Sequence, residues 1–242
     1  MNNAHTSPAS SGATAPVSDD AAGSRASVRA SVGAFVRCQI HTDPHARALP
    51  ATAGFSEQPA NDTVRPVGRV GIMGANGMGI GLARALLDAD MPVTVFDRRE
   101  ALDQGRALLR ASYTDALTGG ALTANQRYRR LALFAATERF HHLKDCDLII
   151  EVMSIDAKTR ETFFRWLDET GKPGAVLVAN ASGSQLDGIA RLTRRPGDVL
   201  GLRFPDTGLP SKAACLVRAR ETSGDAYTTT AELLTGICKL QA

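Results

Sequence analysis

Val67-Gly68-Arg69-Val70-Gly71-Ile72-Met73 runs directly into Gly74-Ala75-Asn76-Gly77-Met78-Gly79. The first seven residues read as a short buried strand, and the six that follow as a glycine-rich turn. Residues 78–89 are then helical, with Ile80, Leu82, Ala83, Leu86 and Leu87 on one side. A second strand reads as Pro92-Val93-Thr94-Val95-Phe96-Asp97 and ends on an acid. A strand, a glycine turn and a helix, with an acid about 20 residues on, are what a nucleotide pyrophosphate and its ribose require. One glycine permits the tight turn, another lets helix meet strand, and free N–H groups at the helix start bind phosphate.

Outward from this unit, the same alternation continues. A helical region at 99–129 is interrupted at Gly119-Gly120. Further strands read as Leu131–Ala136, Leu148–Met153, Ala175–Asn180, Val199–Phe204 and Cys215–Ala219. Helices read near 157–169, 185–193 and 225–238. Repeated strand–helix alternation implies parallel pairing through right-handed crossovers, hence an α/β, doubly wound parallel sheet of the Rossmann-like, dinucleotide-binding type over 67–242. Residues 1–66 are rich in Ala, Ser, Thr, Pro and Gly without apolar periodicity. They read as a disordered N-terminal leader, because too little apolar surface is available to offset the entropy of ordering.

Gly74, Asn76, Gly77, Met78, Gly79 and Asp97 are the cofactor-binding residues this reading assigns. Asp97 suits the two hydroxyls of an unphosphorylated ribose and repels a 2′-phosphate, so NAD is the expected cofactor; Arg98 and Arg99 leave NADP as the alternative. Asn76 stands where the middle glycine of G-x-G-x-x-G belongs. Its side chain is expected to take up space that the pyrophosphate uses, with Gly77 compensating next door.

Composition excludes other classes. The chain has 242 residues, 43% of them apolar, which is enough for a core. No apolar run reaches the roughly 18–20 residues that span a bilayer, so no membrane association is expected. A net charge of +3, from 28 basic and 25 acidic residues, gives no basis for nucleic-acid binding. Cys38, Cys146, Cys215 and Cys238 are scattered without C-x-x-C or paired histidines, which argues against a metal site and for a reducing, cytoplasmic location. His141 and His142 read as solvated loop residues, Phe163–Trp166 as helix packing, and Cys146 as no nucleophile.

Several motifs in register resemble the NAD-binding domain of the 3-hydroxyacyl-CoA dehydrogenases. Gly74–Gly79 is similar to the family's G-x-G-x-M-G turn, and Gly119-Gly120-Ala121-Leu122-Thr123 to its link into a helix. Asp147-Leu148-Ile149-Ile150-Glu151 and Ala179-Asn180-Ala181-Ser182-Gly183 match two further family stretches. The resemblance covers about 67–240 and implies an oxidoreductase of fatty acid metabolism that moves hydride between NAD and a 3-hydroxyacyl thioester, on CoA or a carrier protein. It places Met153, Arg160, Asn180 and Ser182 beside the cofactor, with Ser182 also touching substrate.

The family's chemistry resides in a His–Glu dyad. Its histidine, in a His-Phe-Phe-Asn-Pro run, aligns with Arg203 of Arg203-Phe204-Pro205-Asp206-Thr207. Its glutamate falls at Cys215 without gaps, or at Arg218 if the Leu-Val pairs are aligned; another family glutamate aligns with Ile155. Arginine side chains stay protonated at working pH and cannot act as a general base. Ser182 and Arg203 are thus the expected catalytic residues, of a degenerate site in which Arg203 polarises a ketone. Alternatives are a catalytically inactive NAD-binding sensor or partner subunit, and a truncated remnant. The family's C-terminal helical domain is expected to be absent, leaving the acyl pocket's second wall to a partner chain.

Overall fold

The computed structural model describes residues 39–42, 63–203 and 213–239. Eight strands form one sheet in the order β1-β8-β7-β6-β5-β2-β3-β4. They are β1 (Gln39–Thr42), β2 (Val70–Met73), β3 (Val93–Phe96), β4 (Phe134–Thr137), β5 (Leu148–Glu151), β6 (Val176–Ala179), β7 (Val199–Arg203) and β8 (Ala213–Arg218). Among the described residues six α-helices accompany them: α1 (Gly77–Asp88), α2 (Arg99–Thr118), α3 (Ala124–Ala132), α4 (Ala157–Thr170), α5 (Gly183–Arg191) and α6 (Gly224–Lys239). The sheet is doubly wound, as the alternation requires.

Strand residues alternate between two cores. Val70, Ile72, Leu148, Ile150, Val176 and Val178 face one, with α1, α2 and α6 supplying Leu82, Leu86, Leu109, Tyr113 and Leu234. Met73, Ile149, Leu177 and Ala179 face the other, against Phe164 and Leu167 of α4 and Leu186 and Ile189 of α5. Both faces of the central strands are covered, so they read as unbroken apolar runs. Each fully buried aliphatic side chain contributes on the order of 1.5–3 kcal/mol.

Four features depart from the sequence reading. β7 and β8 pair antiparallel, since the connection between them is too short for a crossover helix. The strand expected at Leu131–Ala136 begins at Phe134, because Leu131 still belongs to α3, started by a Thr123–Gln126 capping box. Within the leader, Gln39–Thr42 is ordered as β1, parallel to β8 along its free edge. The rest of 1–62 lies outside the described residues. The domain also begins before residue 67: Arg65 pairs with Asp198 at 2.7 Å and Asp225 at 2.8 Å, and its N–H donates to Thr229 Oγ1.

Among the described residues, no helix is long and apolar enough to cross a membrane.

Candidate functional site

Register brings the predicted residues to one edge. Thr137, Phe96, Met73, Glu151, Ala179 and Gly201 pair laterally across β4, β3, β2, β5, β6 and β7. Immediately beyond them in the chain come Gly74, Asp97, Val152 and Asn180, at the carboxyl ends of parallel strands. Chain order reverses between β2 and β5, the switch point at which doubly wound sheets hold ligands.

The glycine turn brings strand end and helix start into close approach. Gly74 has φ +119°, a conformation L side chains avoid. A Cβ on Gly79 would stand 1.9 Å from Gly74 O, so the first turn of α1 lies against the strand end only because residue 79 is glycine. Among the described residues the N–H groups of Gly77 and Met78 have no partner, and they open α1 toward the crevice. Asp97 Oδ2 accepts the Ala75 N–H at 2.8 Å, which seats the carboxylate beside the turn. A carboxylate has acceptor sites to spare for ribose hydroxyls. These residues fit a dinucleotide.

Asn76 has an extended backbone (φ −72°, ψ 177°) at the cap of α1. Its Oδ1 accepts the Gly79 N–H at 2.9 Å, capping α1, and its Nδ2 donates to Val152 O at 2.7 Å. The amide is therefore bonded down across the turn to the end of β5, using both its ends.

On the other side of the crevice, Asn180 and Ser182 follow β6, and Ser182 occupies the cap position of α5 without a side-chain capping bond. Its half-buried hydroxyl has no partner among the described residues. Met153 follows β5, its N–H donating to Glu151 Oε1 at 2.8 Å. Arg160, on α4, donates its Nε–H to Glu151 Oε2 at 2.8 Å, and both side chains are almost wholly buried. Burial pushes the Glu151 carboxyl up, while Arg160 and the N–H groups of Met153 and Asn180 pull it down. The sequence signal for this pair was an acid closing a fully apolar strand, with a basic residue in the next helix.

Arg203 ends β7, exposed, and pairs in register with Cys215 of β8. Arg218 is three residues further along β8, opposite Leu200, with its guanidinium 4.1 Å from the Tyr227 ring centre. Register therefore selects Cys215 over Arg218 as the neighbour of position 203. Phe204, Pro205, Asp206 and Thr207 lie outside the described residues.

The remaining candidates sit in surface or packed settings. His141 and His142 are exposed, and His142 Nδ1 bonds Thr137 Oγ1 at 2.8 Å. Cys146 is buried, which pushes its thiol up to about 11. Phe163 and Trp166 pack against Phe140. A cavity of about 250 Å³ at the end of β4 is lined by Arg99, Arg106, Glu138, Arg139 and His142, among others, and by none of the predicted site residues. Among the described residues, no cluster of His, Cys, Asp and Glu could hold a metal ion.

Comparison with known proteins agrees with this geometry. Residues 69–241 match the model of the family described as 3-hydroxyacyl-CoA dehydrogenase, NAD binding domain. A 3-hydroxybutyryl-CoA dehydrogenase of Mycobacterium tuberculosis is 37% identical over 138 residues, 56% of this chain and 48% of that enzyme. The Clostridioides difficile 3-hydroxybutyryl-CoA dehydrogenase is 28% identical over 173 residues, 71% and 62% of the two chains. The crystal structure of M. tuberculosis FadB2 superposes with a TM-score of 0.65 at 31% identity, over 72% of this chain and 62% of that one. The matched part thus spans about half to two thirds of these relatives.

Proposed function

The chain belongs to the 3-hydroxyacyl-CoA dehydrogenase family through its NAD-binding domain, and on that premise we propose an oxidoreductase that acts on 3-hydroxyacyl or 3-ketoacyl thioesters, with NAD as cofactor. The observation that carries the reading is the convergence of the Gly74–Gly79 cradle, Asp97, Asn180, Ser182 and Arg203 at the carboxyl ends of the strands around the β2–β5 switch point. Held there, the dinucleotide would supply hydride chemistry between a carbonyl carbon and the corresponding alcohol.

The chain's own residues then divide the work. Gly77 and Met78 N–H groups hold phosphate, and Asp97 holds ribose and repels a 2′-phosphate. Asn180 and Met153 border the nicotinamide half. The Ser182 hydroxyl, unspent on capping, donates to the substrate oxygen. Arg203 places a fixed cation where negative charge grows as a ketone is reduced. It neither accepts nor gives up a proton, so the proton that joins the carbonyl oxygen on reduction comes from solvent or through Ser182, and both directions run without a general acid–base at position 203.

The second reading is an NAD-binding sensor or partner subunit without turnover. It is favoured by the Arg203–Cys215 pairing, which leaves the family's base position without a base. A partner chain that supplies a helical wall for the acyl group, and a cytoplasmic location, complete the proposal.

Calorimetric titration of the purified chain with NADH and NADPH, followed by acetoacetyl-CoA, tests both readings. NADH should bind at least about tenfold more tightly than NADPH, a difference of about 1.4 kcal/mol. Equal or inverted affinities would remove the NAD assignment. NADH consumption after acetoacetyl-CoA addition supports the enzyme, and binding without consumption supports the sensor.

A further inference from the structure

Every residue of β5 before Glu151 is apolar and buried, yet the strand closes on an ionisable side chain that is itself fully buried. Its carboxylate binds three elements together. Oε1 accepts the Met153 N–H from the loop after β5, at 2.8 Å. Oε2 accepts from Arg160 Nε of α4, at 2.8 Å. Glu151 also pairs in register with Ala179 of β6, which sets the Asn180 N–H of the following loop beside the same carboxylate.

Stability alone does not account for the pair. A buried ion pair recovers its desolvation cost only with good geometry, and apolar residues of similar volume are often as stable or more so. What the pair adds is placement. The Met153 N–H it accepts and the Asn180 N–H beside it belong to the loops that border the cofactor crevice on the side away from Asp97. One loop carries Met153 and the other carries Asn180 and Ser182.

We propose that Glu151 and Arg160 are a positioning pair: the carboxylate sets the spacing of the β5 and β6 loops, and thereby the fit of the nicotinamide half of the cofactor. The inference rests on the reading that this crevice holds NAD. Arg160 then acts through Glu151. A glutamine at 151 keeps the size but turns an NH₂ group toward one of three donors, so one of the fastened groups loses its acceptor.

The test uses the full chain as wild type, Glu151→Gln, Arg160→Met and Arg160→Lys, titrated with NADH and separately with ADP-ribose. ADP-ribose occupies the cradle and the Asp97 end but lacks nicotinamide. The single tryptophan, Trp166, provides an energy-transfer signal to bound NADH. Glu151→Gln and Arg160→Met should weaken NADH about tenfold or more while leaving ADP-ribose within about twofold, and Arg160→Lys should regain part of the loss. Equal weakening of both ligands, or unchanged NADH affinity, overturns the positioning role. If Glu151→Gln does not fold, the Arg160 variants decide alone on the same criteria. A wild-type chain that fails to bind NADH overturns the NAD reading itself, whereas wild-type binding with unaltered variants overturns only the pair.

Discussion

Arg203 and Cys215 stand opposite one another across the antiparallel β7–β8 pair, one at the end of its strand and the other near the start of its own. Directly opposed residues on such a pair hold their Cβ atoms about 4.5–5.5 Å apart. By family resemblance, these are the seats of the base and of the carboxylate that orients it. A cation and a thiol occupy them here.

The pairing predicts which double substitution restores a dyad. Arg203→His alone should recover part of the roughly 10²–10⁴-fold that general acid–base catalysis supplies, because nothing orients the imidazole. Arg203→His with Cys215→Glu should recover more. Arg203→His with Arg218→Glu should gain nothing over the single variant, since position 218 lies opposite Leu200 and its side chain is against Tyr227. Oxidation of 3-hydroxybutyryl-CoA by NAD is the assay. A wild-type rate in the usual range of about 1–10³ per second would show that another group moves the proton.

Asn76→Gly should not tighten cofactor binding. The substitution removes the bond to Val152 O and the cap on Gly79 N–H. A glycine cap costs only a few tenths of a kcal/mol, and a lost hydrogen bond about 1 kcal/mol. The thermal midpoint should fall by about 2–5 °C, with NADH affinity unchanged or weaker. A tighter NADH complex would mean that the side chain does crowd the pyrophosphate.

Acid should release the Arg65 anchor. Hydrogen bonding from Arg65 holds the Asp225 carboxyl down, at about 2, against the opposing effect of burial. Its folded value lies below the unfolded one of about 3.9, so the folded state binds fewer protons between them. The stabilisation is present above about pH 4 and is lost as pH falls toward 2. Asp225→Asn should lower stability at pH 7 by no more than about 1 kcal/mol, the pair being partly exposed, and the gap to wild type should close in acid. Urea melts at pH 7 and pH 2 read this, and a gap that persists in acid would assign the effect to something other than charge.

Removing residues 1–60 takes away β1 but keeps Arg65. The β8 edge then carries unpaired backbone groups, a template for association. The thermal midpoint should drop by a few degrees, and light scattering should rise with concentration. Unchanged behaviour on both measures would show that β1 contributes nothing to the fold.

The strand–helix alternation, the glycine turn and the acid at the end of the second strand were legible as they stand, because each is a local pattern. Apolar runs of strand length, a 3.6-residue period and Gly at a turn are set by neighbours a few positions away. Gly74, Gly79 and Asp97 could be named that way, and so could the alternation of strands and helices, whereas Ser182 came only from the family resemblance. The leader's β1 could not: Gln39-Ile40-His41-Thr42 carries no strong strand pattern, and its partner is an edge some 170 residues on, at Ala213–Leu216.

The sequence by itself determined the doubly wound sheet and the phosphate cradle, because burying two faces of parallel strands and clearing a glycine-lined turn demand particular residue types in a particular order. Only the tertiary structure decided that Cys215 rather than Arg218 faces Arg203, that Asn76 spends its amide on Val152 and Gly79, and that Arg160 serves Glu151. Each of those is a pairing between positions far apart in the chain or turned by a side-chain rotamer. Strand register, loop approach and the need of a buried carboxylate for donors choose among such pairings, and these act only once the layers have closed on one another.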